Sequence, residues 1–325
     1  MSKTVFVTGG AGYVGSHCCK AFANAGWNVV VFDNLSRGWR EMVRWGDLIE
    51  GDILDLESLK AAMARVAPDA VAHFAAFAYV GESVEEPGMY YRNNSLGTLN
   101  ILDAMRANAV KNIVFSSTCA TYVVPVRTPI DEDHPQSPIN PYGWSKFIVE
   151  KMLADYSVAH DLRYAAMRYF NAAGADPDGA IGERHEPETH VIPLAIRGAL
   201  KNDYTFTIFG NDFDTRDGTG LRDYIHVADL ADAHCRALEY LLKGGASDVF
   251  NLGTGNGTTV EEIAAAVEFV SGKKLPRKIG PRRAGDPPAL VASAEKALRI
   301  LGWKPQHSDI KNIIASAWRW HAQEN

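Results

Sequence analysis

The 325-residue chain predicts an α/β fold: a doubly wound parallel sheet followed by a smaller α+β C-terminal domain. Three observations carry this. Short β-branched runs alternate with helix-like segments in the first half, a glycine cluster follows the first run, and the texture changes beyond Asn171. Residues 1–172 are assigned to the sheet domain, with later segments such as 221–240 returning to it, and 173–325 mainly to the second domain.

Residues 3–8 (K-T-V-F-V-T), 28–32 (N-V-V-V-F), 70–74 and 112–116 (N-I-V-F-S) each read as a buried strand. Between them, 17–25, 56–65 and 95–108 carry apolar residues at helical spacing. Asn140-Pro141 is a capping residue followed by a first-turn proline, opening a helix through Lys151. A strand at 163–168 follows. Residues 174–187 and 210–220 are rich in Gly, Pro and acids and read as loops that shape a ligand site. There is no internal repeat and no low-complexity tail.

Composition bounds the function. The chain is 46% hydrophobic and 22% charged, with 33 basic against 39 acidic residues and a net charge of -6. No strong positive field is available for nucleic acid or an anionic membrane, so any bound phosphate needs a local site. Cys18, Cys19, Cys119 and Cys235 match neither a zinc nor a C-x-x-C spacing and read as reduced thiols. The first apolar run is too short for a signal peptide, and His73 interrupts the stretch at 70–81, so a cytoplasmic location is expected.

The glycine cluster is G-G-A-G-Y-V-G from Gly9 to Gly15. Gly10, Gly12 and Gly15 fit G-x-G-x-x-G; Gly9, Gly12 and Gly15 fit G-x-x-G-x-x-G. Such glycines allow a tight turn and let backbone N–H groups and a helix N-terminus approach a pyrophosphate. The second strand ends at Asp33, an acid placed to accept from an adenosine ribose, which points to a Rossmann-like dinucleotide site. A carboxylate there repels a 2′-phosphate and favours NAD over NADP, a preference that Arg37 softens. Asp52 and Ile53 are placed at the adenine, although 51–53 reads equally well as a surface turn.

The second constellation is Tyr142 and Lys146, four apart on one helix face. An ammonium one turn away and a cationic nicotinamide both favour the phenolate, which predicts a lowered tyrosine pKa. The hydroxyls of Ser116, Ser117 and Thr118 end a strand at the carboxyl edge of the sheet, where such folds bind substrates. Hydroxyl, phenol and ammonium together suit proton removal from an alcohol as its hydride leaves.

Residues 8–17 (T-G-G-A-G-Y-V-G-S-H), 33–38 (D-N-L-S-R-G), 116–122 (S-S-T-C-A-T-Y), 141–146 (P-Y-G-W-S-K) and 168–175 (R-Y-F-N-A-A-G-A) resemble the extended short-chain dehydrogenase/reductase superfamily. Residues 209–227, 251–255 (N-L-G-T-G) and 282–286 (R-R-A-G-D) narrow the resemblance to the UDP-glucose 4-epimerases, over nearly the whole chain. The resemblance implies NAD as cofactor, a UDP-sugar substrate, a homodimer packed through 95–108 and 142–151, and reversible inversion at C4 through a 4-keto sugar. It implies Tyr142 as the base, Lys146 as its electrostatic partner, and Thr118 as the hydroxyl sharing the 4-OH proton. Cofactor contacts would come from Gly9, Gly12, Tyr13, Val14, Gly15, Asp33, Asn34, Asp52, Ile53, Phe74, Ala75, Ala76, Asn93, Ser116, Tyr142, Lys146, Tyr169 and Phe170. Asn171, Arg222 and Arg283 would grip the diphosphate, Thr207 and Phe209 would flank the uracil, and Asp286 would take the ribose hydroxyls. His190 and Val191 would close the nucleotide pocket, and Leu290 would border the sugar.

The chain departs from the pattern at Ala78, where many members carry a lysine near the cofactor, and at Val123, in place of a glycine. The run at 74–83 is also similar to UDP-xylose/UDP-arabinose 4-epimerases, and Leu290 leaves UDP-GlcNAc open, whereas 185–193 is similar to glucose-type enzymes. A 4,6-dehydratase needs an Asp-Glu pair after Thr118, where Cys119-Ala120 stand. A binding protein that senses NAD and UDP-sugar is the alternative outside catalysis, and the complete Thr118, Tyr142 and Lys146 set argues against it, while the rich late loops with Arg222 and Arg283 argue against a mere self-associating scaffold. His185, Glu186 and His190 are not H-E-x-x-H and Pro187 interrupts any helix, so no metal is expected. Trp303, Trp318 and Trp320 read as packing residues, and 131–134 as a solvated loop.

Overall fold

A computed structural model describes residues 2–122, 124–201, 204–283 and 286–323; Val123, one of the departures above, lies outside them. The chain opens with β1 (Thr4–Thr8), α1 (Tyr13–Asn24), β2 (Asn28–Asp33) and β3 (Asp47–Glu50), then α2 (Leu56–Val66) and β4 (Ala70–His73). Two short helices, α3 (Val80–Glu85) and α4 (Pro87–Tyr90), lead through a π-helical turn into α5 (Gly97–Ala107). Next come β5 (Asn112–Thr118), α6 (Pro141–His160), β6 (Arg163–Tyr169) and β7 (Asn171–Ala173). The later chain forms α7 (Val191–Leu200), β8 (Phe206–Phe209), β9 (Leu221–Arg222), β10 (Tyr224–His226), α8 (Val227–Leu242) and β11 (Asp248–Leu252). It ends with β12 (Thr258–Thr259), α9 (Val260–Ser271), β13 (Arg277–Gly280), β14 (Ala289–Leu290), α10 (Glu295–Leu301) and α11 (Ile310–Gln323).

Seven strands form one parallel sheet in the order β11-β6-β5-β4-β1-β2-β3. Alternation along each strand serves two cores. Val5, Val7, Val29, Val31 and Val114 pack under α1 and α8, while Phe6, Val30, Phe32, Ile113 and Phe115 pack under α2, α5 and α6. The chain winds outward through β1, β2 and β3, then returns to β1's other side at β4. That reversal opens a crevice above the carboxyl ends of β1 and β4, the place where open α/β sheets bind ligands. A third core joins α7, β8, α9 and α11 through Ile192, Ile196, Phe206, Ile208, Ile263, Val267, Ile313 and Ile314. Small sheets, β10-β7, β13-β8 and β12-β9-β14, connect this layer to the edge of the large sheet.

Several elements run past the expected bounds. α1 starts at Tyr13 rather than residue 17, β5 extends to Thr118, and α6 continues to His160. The 131–134 loop differs from its solvated reading: His134 is buried and accepts from Val126 N, and Glu132 accepts from Asn251 N, because Ile130 bridges to Ala292 and pulls the segment inward. Trp303 is buried and donates to Asp229 O, and all four cysteines are free thiols.

Candidate active site

The crevice is a cleft of about 500 Å³ lined by Gly9, Gly12, Asp33, Asn34, Ser36, Arg37, Gly38, Ile53, Phe74, Ala75, Ala76, Phe77 and Asn93, among others. Its floor is tight. Phe74 N and Ala75 N both donate to Thr8 O, and Gly9, at φ +76°, has Ala75 N only 2.3 Å from where a Cβ would stand. A Cβ on Gly15 would lie 2.1 Å from Gly9 O, so the helix packs directly on the turn. Gly12 is different. At φ -83° its Cβ would meet only Gly9 O, at 3.4 Å. The protein's own packing therefore does not require glycine there, and the bare backbone serves whatever enters the cleft.

Gly12 is also the N-cap of α1 and offers no side chain to the helix's first N–H groups. Those of Tyr13, Val14 and Gly15 remain for an anion. Asp33 is buried at the cleft wall, where Ala11 N donates to one oxygen (3.0 Å) and Leu35 N to the other (2.8 Å). Burial raises its pKa, and those two N–H groups oppose the rise. A carboxylate held by backbone and facing a cleft beside an uncapped helix fits the ribose and pyrophosphate of NAD.

Hydroxyl, phenol and ammonium come together at the end of β5. Pleating turns Ser117 to the α6 face, where its hydroxyl donates to Glu150 at 2.6 Å, while Ser116 on the other face meets the Tyr169 hydroxyl at 2.7 Å. Asn140 caps α6 by accepting from Gly143 N at 2.8 Å, and Pro141 supplies the first turn. A Cβ on Gly143 would sit 2.2 Å from Ala120 O, so only glycine lets α6 approach the turn after Thr118 this closely. That approach brings the buried Tyr142 phenol within hydrogen-bonding reach of the Thr118 hydroxyl.

Lys146 is 3% exposed and donates to Ser116 O at 2.8 Å, its ammonium 4.8 Å from the centre of the Phe115 ring. Burial lowers its pKa to about 7, with Glu150 opposing. Within the protein alone, burial raises the Tyr142 pKa, the Tyr169 phenol adds to the rise, and the Thr118 hydroxyl partly offsets it. The chain places its ammonium on a carbonyl oxygen, so its own charges do not make the phenol acidic.

Behind these groups lies a buried polar network. Arg168 forks onto Glu150 (2.9 and 2.6 Å) and donates to the Tyr122 hydroxyl, which donates to Asn251. The later loops face the same edge. Leu290 on β14 is in register with Arg222 on β9, and Arg222 pairs with Asp286. Arg283 lies 4.3 Å from the centre of the Phe209 ring on β8, the strand that also carries Thr207. Arg222 is close enough to Cys119, next to Thr118, to favour its thiolate against the burial that raises it. Asn171 donates its amide to Asp223 O at 3.1 Å.

Three of the expected residues also make contacts within the chain. The Tyr13 hydroxyl donates to Gly174 O, so at this position only backbone faces the anion. Asp52 accepts from Asn34 and Leu54 N, beside Ile53, which lines the cleft. Phe170 packs with Tyr122, Ile130 and Leu290, on the sugar side. The missing lysine at Ala78 leaves an exposed methyl, while Arg37 stacks 5.1 Å from Phe77 and 5.4 Å from Tyr79 and pairs with Glu82. Arg37, read from the sequence as lying near the cofactor, lines the cleft; Ser36, Gly38 and Phe77 were not among the expected contacts, although the run D-N-L-S-R-G that begins at Asp33 contains the first two. Glu183, His185, Glu188 and His190 also come together, despite lacking any helical motif.

The model of the NAD dependent epimerase/dehydratase family matches residues 5–253. A UDP-glucose 4-epimerase of Rhizobium leguminosarum bv. trifolii is 56% identical over 323 residues, covering 99% of this chain and 98% of that protein. A Brucella ovis UDP-glucose 4-epimerase solved with NAD superposes with a TM-score of 0.96 at 52% identity over 98% of each chain. The Bifidobacterium longum enzyme, solved with NAD+ and UDP, gives 0.93 at 37% identity over 99% of this chain and 98% of that one. The seven-stranded sheet, the glycine turn and the Thr118–Tyr142–Lys146 set, matched from end to end, place the chain in the NAD dependent epimerase/dehydratase family, among its UDP-glucose 4-epimerases.

Proposed function

We propose that the protein reversibly inverts C4 of a UDP-hexose, interconverting UDP-glucose and UDP-galactose. The observation that carries this is the buried Tyr142 phenol, close enough to the Thr118 hydroxyl to be stabilised by it, at the carboxyl edge of the sheet beside the Asp33 cleft and the Arg222 loop. NAD+, when bound, supplies the two-electron acceptor for the sugar's C4 and a positive charge near the phenol. Gly12 and the first N–H groups of α1 hold its pyrophosphate, and Asp33 holds its adenosine ribose. Asn34, Ile53, Phe74, Ala75, Ala76 and Asn93 wall the cleft.

Tyr142 accepts the 4-OH proton at its phenolic oxygen, and Thr118 orients and shares that proton. Lys146, held by Ser116 O, supplies charge and a ribose contact. Sealed behind the Glu150–Arg168 pair, these groups work out of bulk water, where each polar contact counts for more. Inversion needs the sugar to present both faces while its nucleotide stays fixed. Arg222, Arg283 and Asn171 anchor the diphosphate, Phe209 and Thr207 the base, and Asp286 the ribose, with the backbone of His190–Val191 closing the pocket. Leu290 bounds the sugar. We assign residues 1–172, with α8 and β11, to the NAD-binding domain and 173–325 mainly to the UDP-sugar domain.

A homodimer packing α5 against α6 fits the exposure of Leu96 (47%) and Trp144 (39%) at that face, and a cytoplasmic setting suits four free cysteines. The test of function is separate incubation with UDP-glucose, UDP-GlcNAc and UDP-xylose, products read by NMR. UDP-galactose forming fastest is the expected result. No epimer from any of the three sinks the proposal.

A further inference from the structure

The loop between β7 and α7 gathers four side chains that the reaction above does not use. Glu183, His185, Glu188 and His190 bring one donor atom each to within 4.8 Å of all the others. His190 Nδ1 is 2.9 Å from Glu188 Oε1 and 3.1 Å from Glu183 Oε1; His185 Nδ1 is 3.2 Å from Glu183 Oε1 and 3.7 Å from Glu188 Oε2. Ligands held 2.0–2.1 Å from a tetrahedral centre stand about 3.3 Å apart, and these nitrogen–oxygen separations fall on both sides of that value, with Glu188 turning Oε1 to His190 and Oε2 to His185.

A second observation points the same way. His185 Nδ1 is fully buried and has no hydrogen-bond partner, although the Glu183 carboxylate is near. Its neighbour lies off the N–H line, as expected where both atoms face a common centre rather than each other. The ring is fixed from behind: Tyr13 and Tyr79 set their ring edges against it at 6.1 and 5.9 Å, and Trp320 Nε1 donates to Glu183 O at 3.1 Å. Glu183 is 3% exposed.

We propose that Glu183, His185, Glu188 and His190 bind one zinc ion. Two imidazoles and two carboxylates suit zinc in chemistry and in charge, since the two carboxylates neutralise the dication. With four protein ligands the site is closed, which makes it structural rather than catalytic. Its place gives it a purpose. The loop is clasped between Tyr13, at the N-terminus of α1, and the start of α7, so the metal pins one wall of the nucleotide pocket to the cofactor helix. The His190 ring, turned to the carboxylates, leaves its backbone for the pocket. None of this depends on which sugar is inverted.

Untagged holoprotein is dialysed and its metal measured by mass spectrometry. About one zinc per chain is expected. Cobalt added to the chelator-stripped protein is expected to show the strong visible d–d bands of a tetrahedral site and to raise Tm. His185→Asn and Glu183→Gln are expected to weaken metal affinity by more than about tenfold, with circular dichroism reporting whether each folds. Wild-type protein that carries no zinc, shows no tetrahedral cobalt bands and gains no Tm from added zinc overturns the proposal. So does cobalt bound as tightly by a folded His185→Asn chain.

Discussion

Gly12 and Gly15 stand three residues apart in one motif and are glycines for different reasons. At Gly15 a methyl meets Gly9 O at 2.1 Å, so Gly15→Ala is expected to destabilise the fold by about 1–3 kcal/mol through overpacking. Gly12→Ala has room and an ordinary φ, so it is expected to keep Tm while losing retained NAD. Thermal melting together with nucleotide released on denaturation reads both, and a Gly12→Ala chain that keeps its NAD would remove the glycine's assigned role. Tyr142→Phe is expected to lower kcat by about 10²- to 10⁴-fold with NAD and UDP binding intact. Equal turnover in that variant discards Tyr142 as the base. The sequence made the glycine spacing and the Tyr-x-x-x-Lys pair legible because both are local. It did not show where the Lys146 ammonium points, onto Ser116 O, because that direction is not a matter of spacing.

At the level of elements, α6 organises the chemistry. Tyr142, Lys146 and Glu150 follow one another at four-residue steps along one stripe, and Asn140, Pro141 and Gly143 fix where that stripe begins. The stripe could be read from the chain. Its partners could not, because Arg168, Tyr122 and Asn251 arrive from β6, the turn after β5 and β11. The Glu150–Arg168 pair is about 4% exposed on each side. Removing one member strands the other charge, so Glu150→Gln is expected to cost about 3–5 kcal/mol in urea unfolding. A loss below 1 kcal/mol would show that the pair contributes little here.

Among the described residues, burial pushes down the pKa of four histidines across the molecule. Burial holds His73 down to about 3, helped by the Lys146 charge, and holds His17, His226 and His234 to about 4. His73 sits between the hydroxyls of Thr8 and Thr98, and His226 Nδ1 accepts from Ala228 N, a bond that an imidazolium would lose. The sign follows. Each folded pKa lies below the unfolded value near 6.5, so this stability is complete above about pH 6.5 and is lost as pH falls toward 4, when the unfolded chain takes up the protons. Urea titrations at several pH values are expected to show His73→Asn losing stability less steeply than wild type, by about one proton or 1.4 kcal/mol per pH unit. Identical slopes refute the buried-neutral reading of His73. By itself the sequence determined the parallel sheet, the glycine turn with Asp33, and the Tyr142–Lys146 pair on one helix, since periodicity and short spacings are properties of neighbours along the chain. Only the tertiary structure decided which partners satisfy Glu150, that Asn34 donates to Asp52, and that two glutamates and two histidines of a Pro-interrupted loop come together. Those facts depend on segments far apart in sequence, or on loop backbone with no period, and burial chooses among their contacts only once the layers have packed.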